Sequence, residues 1–132
     1  MKLEDDSYCF ACGSKNPIGL KLKFEPSEDS LVVNYTPDKY HQGYKNILHG
    51  GIASVILDEV MARFLIDVRK IMVVTAKMEI KFRKPVSIEE TVRATAKYVS
   101  KEGNFHIVKG ELRTQDGTLL VSAEGTFAEI KD

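Results

Sequence analysis

The stretch His49-Gly50-Gly51 followed by Ile52 to Ile66, reading HGGIASVILDEVMARFLI, constrains this chain more than any other. It reads as one helix, apolar almost all the way round, and such a helix lies inside a structure rather than upon it. The rest of the chain must therefore wrap it. Two glycines stand at its start, where unpaired N–H groups meet the positive end of the helix dipole. That is a place to stabilise a developing negative charge.

Only Asp58, Glu59 and Arg63 carry charge within this helix. Glu59 and Arg63, four apart with the acid first, are expected to form a helical ion pair. Asp58 has Gly51, Ser54, Val55, Met61 and Ala62 along its face, all small or apolar. A carboxylate in that setting is costly and asks for a function, unless an oligomer interface supplies it with a donor.

The flanking segments alternate. Leu20-Lys21-Leu22-Lys23-Phe24 and Leu31 to Tyr35 read as a hairpin about a turn at Glu25 to Ser30. Thr36 to Leu48 has rings at Tyr40, His41 and Tyr44 but no period, and is expected to be a loop leading to the helix. From Ile71 to Pro85 parity puts Ala76, Met78, Ile80 and Phe82 on one face and Thr75, Lys77, Glu79, Lys81 and Arg83 on the other. Thr91 to Val99, Phe105 to Thr114 (irregular at Gly110) and Thr118 to Ile130 complete the strands. Asp116-Gly117 is a hairpin signal, and Leu119, Val121, Ala123 and Phe127 share a face of the last strand. Consecutive, tightly joined strands imply an antiparallel meander whose apolar face only the helix can cover, an α+β architecture with edges free to pair with a second copy.

At 132 residues the chain is one domain, residues 1–132, whose first segment, 1–19, carries its own motif. Its 19 basic and 19 acidic residues create no field that favours nucleic acid or an anionic membrane. The polar, acidic start MKLEDDS is unlike a signal peptide, and the helix is too short and interrupted to span a bilayer, so a cytoplasmic protein is expected. Cys9-Phe10-Ala11-Cys12-Gly13 has a spacing that suits a metal or a redox pair. A closed zinc site needs four ligands and there is no second CxxC, although His41, His49, His106 or a second chain's thiolates could contribute. The reading therefore assigns no metal and no cofactor. The βαβ context of a thioredoxin-like site is missing.

HGG opening an apolar helix, an Asp nine residues after the His, and a following antiparallel meander resemble the hotdog-fold acyl-CoA thioesterases of the PaaI-like type. The resemblance spans nearly the whole chain, including the CFACG, Asn16-Pro17 and Gly19-Leu20 features that recur at the start of some members. It implies a sheet wrapped around one helix, hydrolysis of an acyl-CoA, and a homodimer or dimer of dimers with each site between subunits. In that picture Gly50 offers its N–H to the thioester oxygen, His49 shapes the turn or contacts the thioester, and Asp58 acts as general base or nucleophile facing the other chain's Gly50. Thr75 stands where some relatives have a water-positioning Ser. Where some relatives carry an Asn six residues before the His this chain has Gly43, with Gln42 and Asn46 as possible substitutes.

Each residue also has a plainer reading. His49 can serve as a cap, and Gly50 and Gly51 as close-packing glycines. Arg83 and Lys84, with Lys81 and Lys101, suit coenzyme A phosphates but equally a solvated strand face. Ser54 and Asp58 point alongside one another and form no Ser-His-Asp triad. The rival functions are a non-catalytic acyl-CoA-binding module, a zinc-bridged interaction protein and, within the same fold, a dehydratase.

Overall fold

A computed structural model describes residues 2–131. The apolar segment forms helix α1, Gly50–Arg63, continued by a wider π-type turn over Phe64–Val68. Six strands surround it: β1 Phe24–Pro26, β2 Leu31–Tyr35, β3 Val73–Phe82, β4 Val92–Glu102, β5 Phe105–Thr114 and β6 Leu119–Glu129. They make one antiparallel sheet in the order β1-β2-β4-β5-β6-β3. This is the hotdog arrangement, a curved sheet around a single central helix, as the sequence leads one to expect.

The core is the helix surface against the concave face of the sheet. Ile56, Leu57, Val60, Met61, Phe64 and Leu65 are fully buried, and Val108, Leu112 and Phe127 meet them from β5 and β6. Met61 lies across two glycines: a Cβ at Gly110 would sit 3.1 Å from Met61 Cγ, and one at Gly125 would sit 3.2 Å from Met61 Cε. The missing side chains let the helix approach the sheet.

The structure departs from the sequence expectations in five places. First, β3 pairs with β6 at the far edge of the sheet instead of continuing the meander into β4. The connection, residues 83–91, is longer than a hairpin turn and crosses to the other side of β5 and β6. Second, Leu20 to Lys23 is not a strand: Lys21 takes φ 54, and the Leu20 and Leu22 N–H groups donate to the carbonyls of Phe10 and Ala11. The alternation there reflects Leu22 burying itself under the CxxC loop, and β1 begins at Phe24.

Third, a β-bulge at Ala76 interrupts β3, since Thr75 lies opposite Phe127 and Lys77 opposite Thr126. Thr75 therefore faces the helix, while Ala76, expected inward, is exposed. Fourth, Gly110 is in regular register on both sides, and the irregularity of this region lies in β6, where Leu112 pairs with Val121 and Arg113 with Leu119. Leu120 is the extra residue and is buried in place of the half-buried Leu119. Fifth, the Glu59–Arg63 pair does not form: Arg63 holds Asp67, and Glu59 accepts a hydrogen bond from the Cys9 thiol.

Candidate active site

The start of α1 is fixed from three directions. The His49 N–H donates to the His41 carbonyl at 2.9 Å, and the Leu48 N–H donates to that of Val86 at 2.8 Å. His49 is the N-cap: its Nδ1 accepts the Gly51 N–H at 2.8 Å, which leaves the proton of the neutral ring on Nε2. The His49 carbonyl takes the Ile52 and Ala53 N–H groups. Gly50 is different: among the described residues its N–H has no hydrogen-bond partner, and it is exposed. A free N–H on the positive end of a fourteen-residue helix is an oriented donor for a negatively charging oxygen.

That N–H stands beside a cavity of about 420 Å³, lined by Gly43, Tyr44, Ile47, Leu48, His49, Gly50, Ala53, Phe82, Arg83, Lys84, Pro85, Val86 and Val121. The wall is mostly apolar with two cations at its rim, suited to an organic arm ending in phosphate. The cations are set by the Leu120 bulge, whose carbonyl receives the Arg83 and Lys84 N–H groups at 2.8 and 3.0 Å. Arg83 Nε also donates to Ser122 Oγ at 3.1 Å. Phe82 and Tyr44, which sequence reasoning did not nominate, line this cavity and are 57% and 83% exposed. Large apolar rings so exposed invite a ligand or a partner. The signal for Phe82 was available, because parity puts it inward at a strand end that outruns the helix.

Asp58 is elsewhere. It is half-buried and accepts a hydrogen bond from Thr75 Oγ1 at 2.7 Å, the contact that the Ala76 bulge creates. Asp58 does not line the cavity, and eight helical residues, about 12 Å, separate it from Gly50. Gly43, at the position of the absent Asn, packs on His49: a Cβ there would sit 3.4 Å from His49 Cα. Gln42 and Asn46 are outside the cavity lining and engaged with each other, since Gln42 Oε1 accepts the Asn46 N–H at 3.1 Å. The structure thus gathers His49, Gly50, Arg83 and Lys84 at one place, Asp58 and Thr75 at a second, and leaves Gln42 with Asn46 in the loop before the helix.

No helix among the described residues is long and apolar enough to cross a membrane. A family model described as the thioesterase superfamily matches residues 45–121. The uncharacterized protein C26H8.11c of Schizosaccharomyces pombe is 30% identical over 110 residues, covering 80% of this chain and 63% of that protein. Among solved structures, the thioesterase superfamily protein RHA08564 superposes with a TM-score of 0.85 at 26% identity, over 92% of this chain and 60% of that one. The chain thus spans about three-fifths of the length of both. The Escherichia coli PaaI protein from the phenylacetic acid degradation operon gives 0.77 at 19% identity, over 85% and 81% of the two chains. A hypothetical thioesterase from Streptococcus pneumoniae TIGR4, solved with coenzyme A, gives 0.76 at 16%, over 84% and 87%. These last two likenesses are of fold.

Proposed function

This chain belongs to the thioesterase superfamily, and from that premise we propose that it is an acyl-CoA thioesterase, hydrolysing an acyl thioester to a free acid and coenzyme A. The observation that carries the reading is the unpaired Gly50 N–H at the helix start, on a residue that lines a mostly apolar cavity with Arg83 and Lys84 at its rim. The thioester carbonyl accepts that N–H, and as water adds, the charge gathering on oxygen meets the end of the helix dipole. The apolar walls take the acyl or pantetheine arm. Arg83 and Lys84 take coenzyme A phosphates, the ligand named for the Streptococcus structure.

The proton of the attacking water needs a base, and Asp58 is the candidate, oriented by the Thr75 hydroxyl. One chain cannot bring Asp58 to its own Gly50 along a rigid helix, so the complete site takes Gly50 from one copy and Asp58 from another. Strand β3 supports this, because among the described residues it pairs only with β6 and leaves an open edge immediately beside Thr75 and Asp58. Its backbone groups are available to a second β3, making a homodimer, which can pair again as a dimer of dimers.

The test is release of free thiol from a panel of short, long and aromatic acyl-CoAs by wild-type protein and by Asp58→Ala. At least one substrate should be hydrolysed, and the variant should lose on the order of a hundredfold or more in kcat, the scale of a general base. Binding of acyl-CoA without turnover by the wild type would sink the reading and leave a ligand-binding module.

A further inference from the structure

We propose that Cys9, Cys12 and Glu59 form a binding site for one thiolate-seeking divalent cation, zinc foremost, on the flank of α1. The two thiols and the carboxylate come from segments fifty residues apart, yet one ligand atom from each lies within 4.8 Å of the others. Cys9 Sγ is 3.2 Å from Glu59 Oε2. In a tetrahedral zinc site the bond lengths put neighbouring sulfur and oxygen ligands about 3.6 to 3.8 Å apart. Movements of about 1 Å or less convert the cluster into that geometry.

The loop is built to present both sulfurs together. The Gly13 N–H closes on the Cys9 carbonyl at 2.8 Å, in a turn so tight that a Cβ at Gly13 would lie 2.5 Å from both Cys9 N and the Ser7 carbonyl oxygen. Ala11 at the tip is buried, and the Phe10 and Ala11 carbonyls are held by the Leu20 and Leu22 N–H groups. The loop is thus seated on the core before any ion arrives.

Glu59 is left for the ion by its neighbours. Its expected partner Arg63 is engaged by Asp67, whose Oδ2 accepts from Arg63 Nε at 3.1 Å. A half-buried carboxylate thus lies against two thiols, with the neighbouring cation, Arg63, held by Asp67.

Binding balances simply: two S–H bonds break, their protons pass to solvent, and two metal–sulfur bonds and one metal–oxygen bond form with no redox change. Two thiolates, one carboxylate and a divalent ion leave one net negative charge, close to the Arg63 guanidinium. The fourth position opens to a surface cleft bordered by Asp5, Asp6 and Tyr8. Glu4 lines the same cleft, and Asp5 and Asp6 each accept one N–H there, from Ser7 and Tyr8, so that position is open to water or to one of these carboxylates. The ion clips the N-terminal segment to the helix one residue from Asp58. It does not depend on the proposed chemistry there.

The experiment is titration of reduced, metal-free protein with cobalt(II), followed through the thiolate-to-cobalt charge-transfer band, with zinc competition and metal analysis of protein purified without chelators. One equivalent per chain should saturate the band, zinc should bleach it, and Cys12→Ser should abolish it. Glu59→Gln, checked for fold by circular dichroism, should weaken zinc binding by more than the roughly ten- to hundredfold typical of an outer-shell partner. The proposal fails if reduced wild-type protein shows no thiolate band. It fails equally if saturation comes at half an equivalent with Glu59→Gln unaffected, or if the protein is isolated metal-free with a Cys9–Cys12 disulfide.

Discussion

Thr75→Val separates positioning from structure better than any other substitution in the candidate site. It keeps the shape of the side chain and removes the hydroxyl that donates to Asp58, at 2.7 Å. A hydrogen bond to a charged acceptor contributes about 1.5–3 kcal/mol. Asp58 is only half-buried and Thr75 is exposed, so water recovers part of that and the lower end applies. About 1.5 kcal/mol expressed in the transition state corresponds to roughly a tenfold fall in kcat. The KM should stay within about twofold, because Thr75 is not among the residues lining the cavity where substrate is proposed to bind. Thr75→Ser keeps the donor and should keep most of the rate. The assay is thiol release at saturating acyl-CoA, with thermal melts to confirm equal folding. A Thr75→Val enzyme with wild-type kcat, or a Thr75→Ser enzyme as slow as Thr75→Val, would refute the role given to this contact.

Two further outcomes concern the framework. Gly110→Ala puts a Cβ 3.1 Å from Met61 Cγ, and the far end of Met61 already lies against Gly125 of the neighbouring strand, so overpacking of about 1–3 kcal/mol should lower the Tm by roughly 4 °C or more; an unchanged melt would show that Met61 is free to move. Glu129 is held below its usual range chiefly by the hydrogen bond from His106 Nε2, at 2.8 Å. Its folded pKa thus lies below the ordinary 4.5, and its contribution is present above that value and lost as pH falls through the folded one. Melting curves of Glu129→Gln should accordingly be flatter on acidification than those of wild type, and parallel curves would count against the coupling.

The helix, its cap and the apolar parity of the strands were legible because burial writes itself as period. Ile56, Leu57, Val60 and Met61 could only be interior, and Ile80 and Phe127 could only face them. What the sequence hid were events that break period. A bulge is one residue long and carries no composition of its own, so Ala76 and Leu120 looked like ordinary strand positions, and Thr75 was placed on the wrong face. The order of β3 in the sheet was hidden for another reason: residues 83–91 are few enough to suggest a neighbour, and the crossing depends on curvature that no local pattern encodes. Glu59 was assigned to Arg63 by helical spacing, which cannot see Cys9 arriving from fifty residues away or Asp67 competing from the next turn. The cavity's rings, Tyr44 and Phe82, were visible as residues but not as a wall.

A pleated strand has a reading frame of two, and Ala76 is a frameshift within it. Upstream of it Thr75 points at the helix, and downstream of it Met78 and Ile80 do so, a combination that no unbroken strand can offer. Were Ala76 paired as an ordinary strand residue, every side chain of the protein would be unchanged in kind, yet the strand could keep its grip on the core or its hold on Asp58, but not both. Without that alanine, Thr75 would stand two places before Met78 and the frame would close unbroken. In this segment the fold depends on which residue is left uncounted, more than on its chemistry.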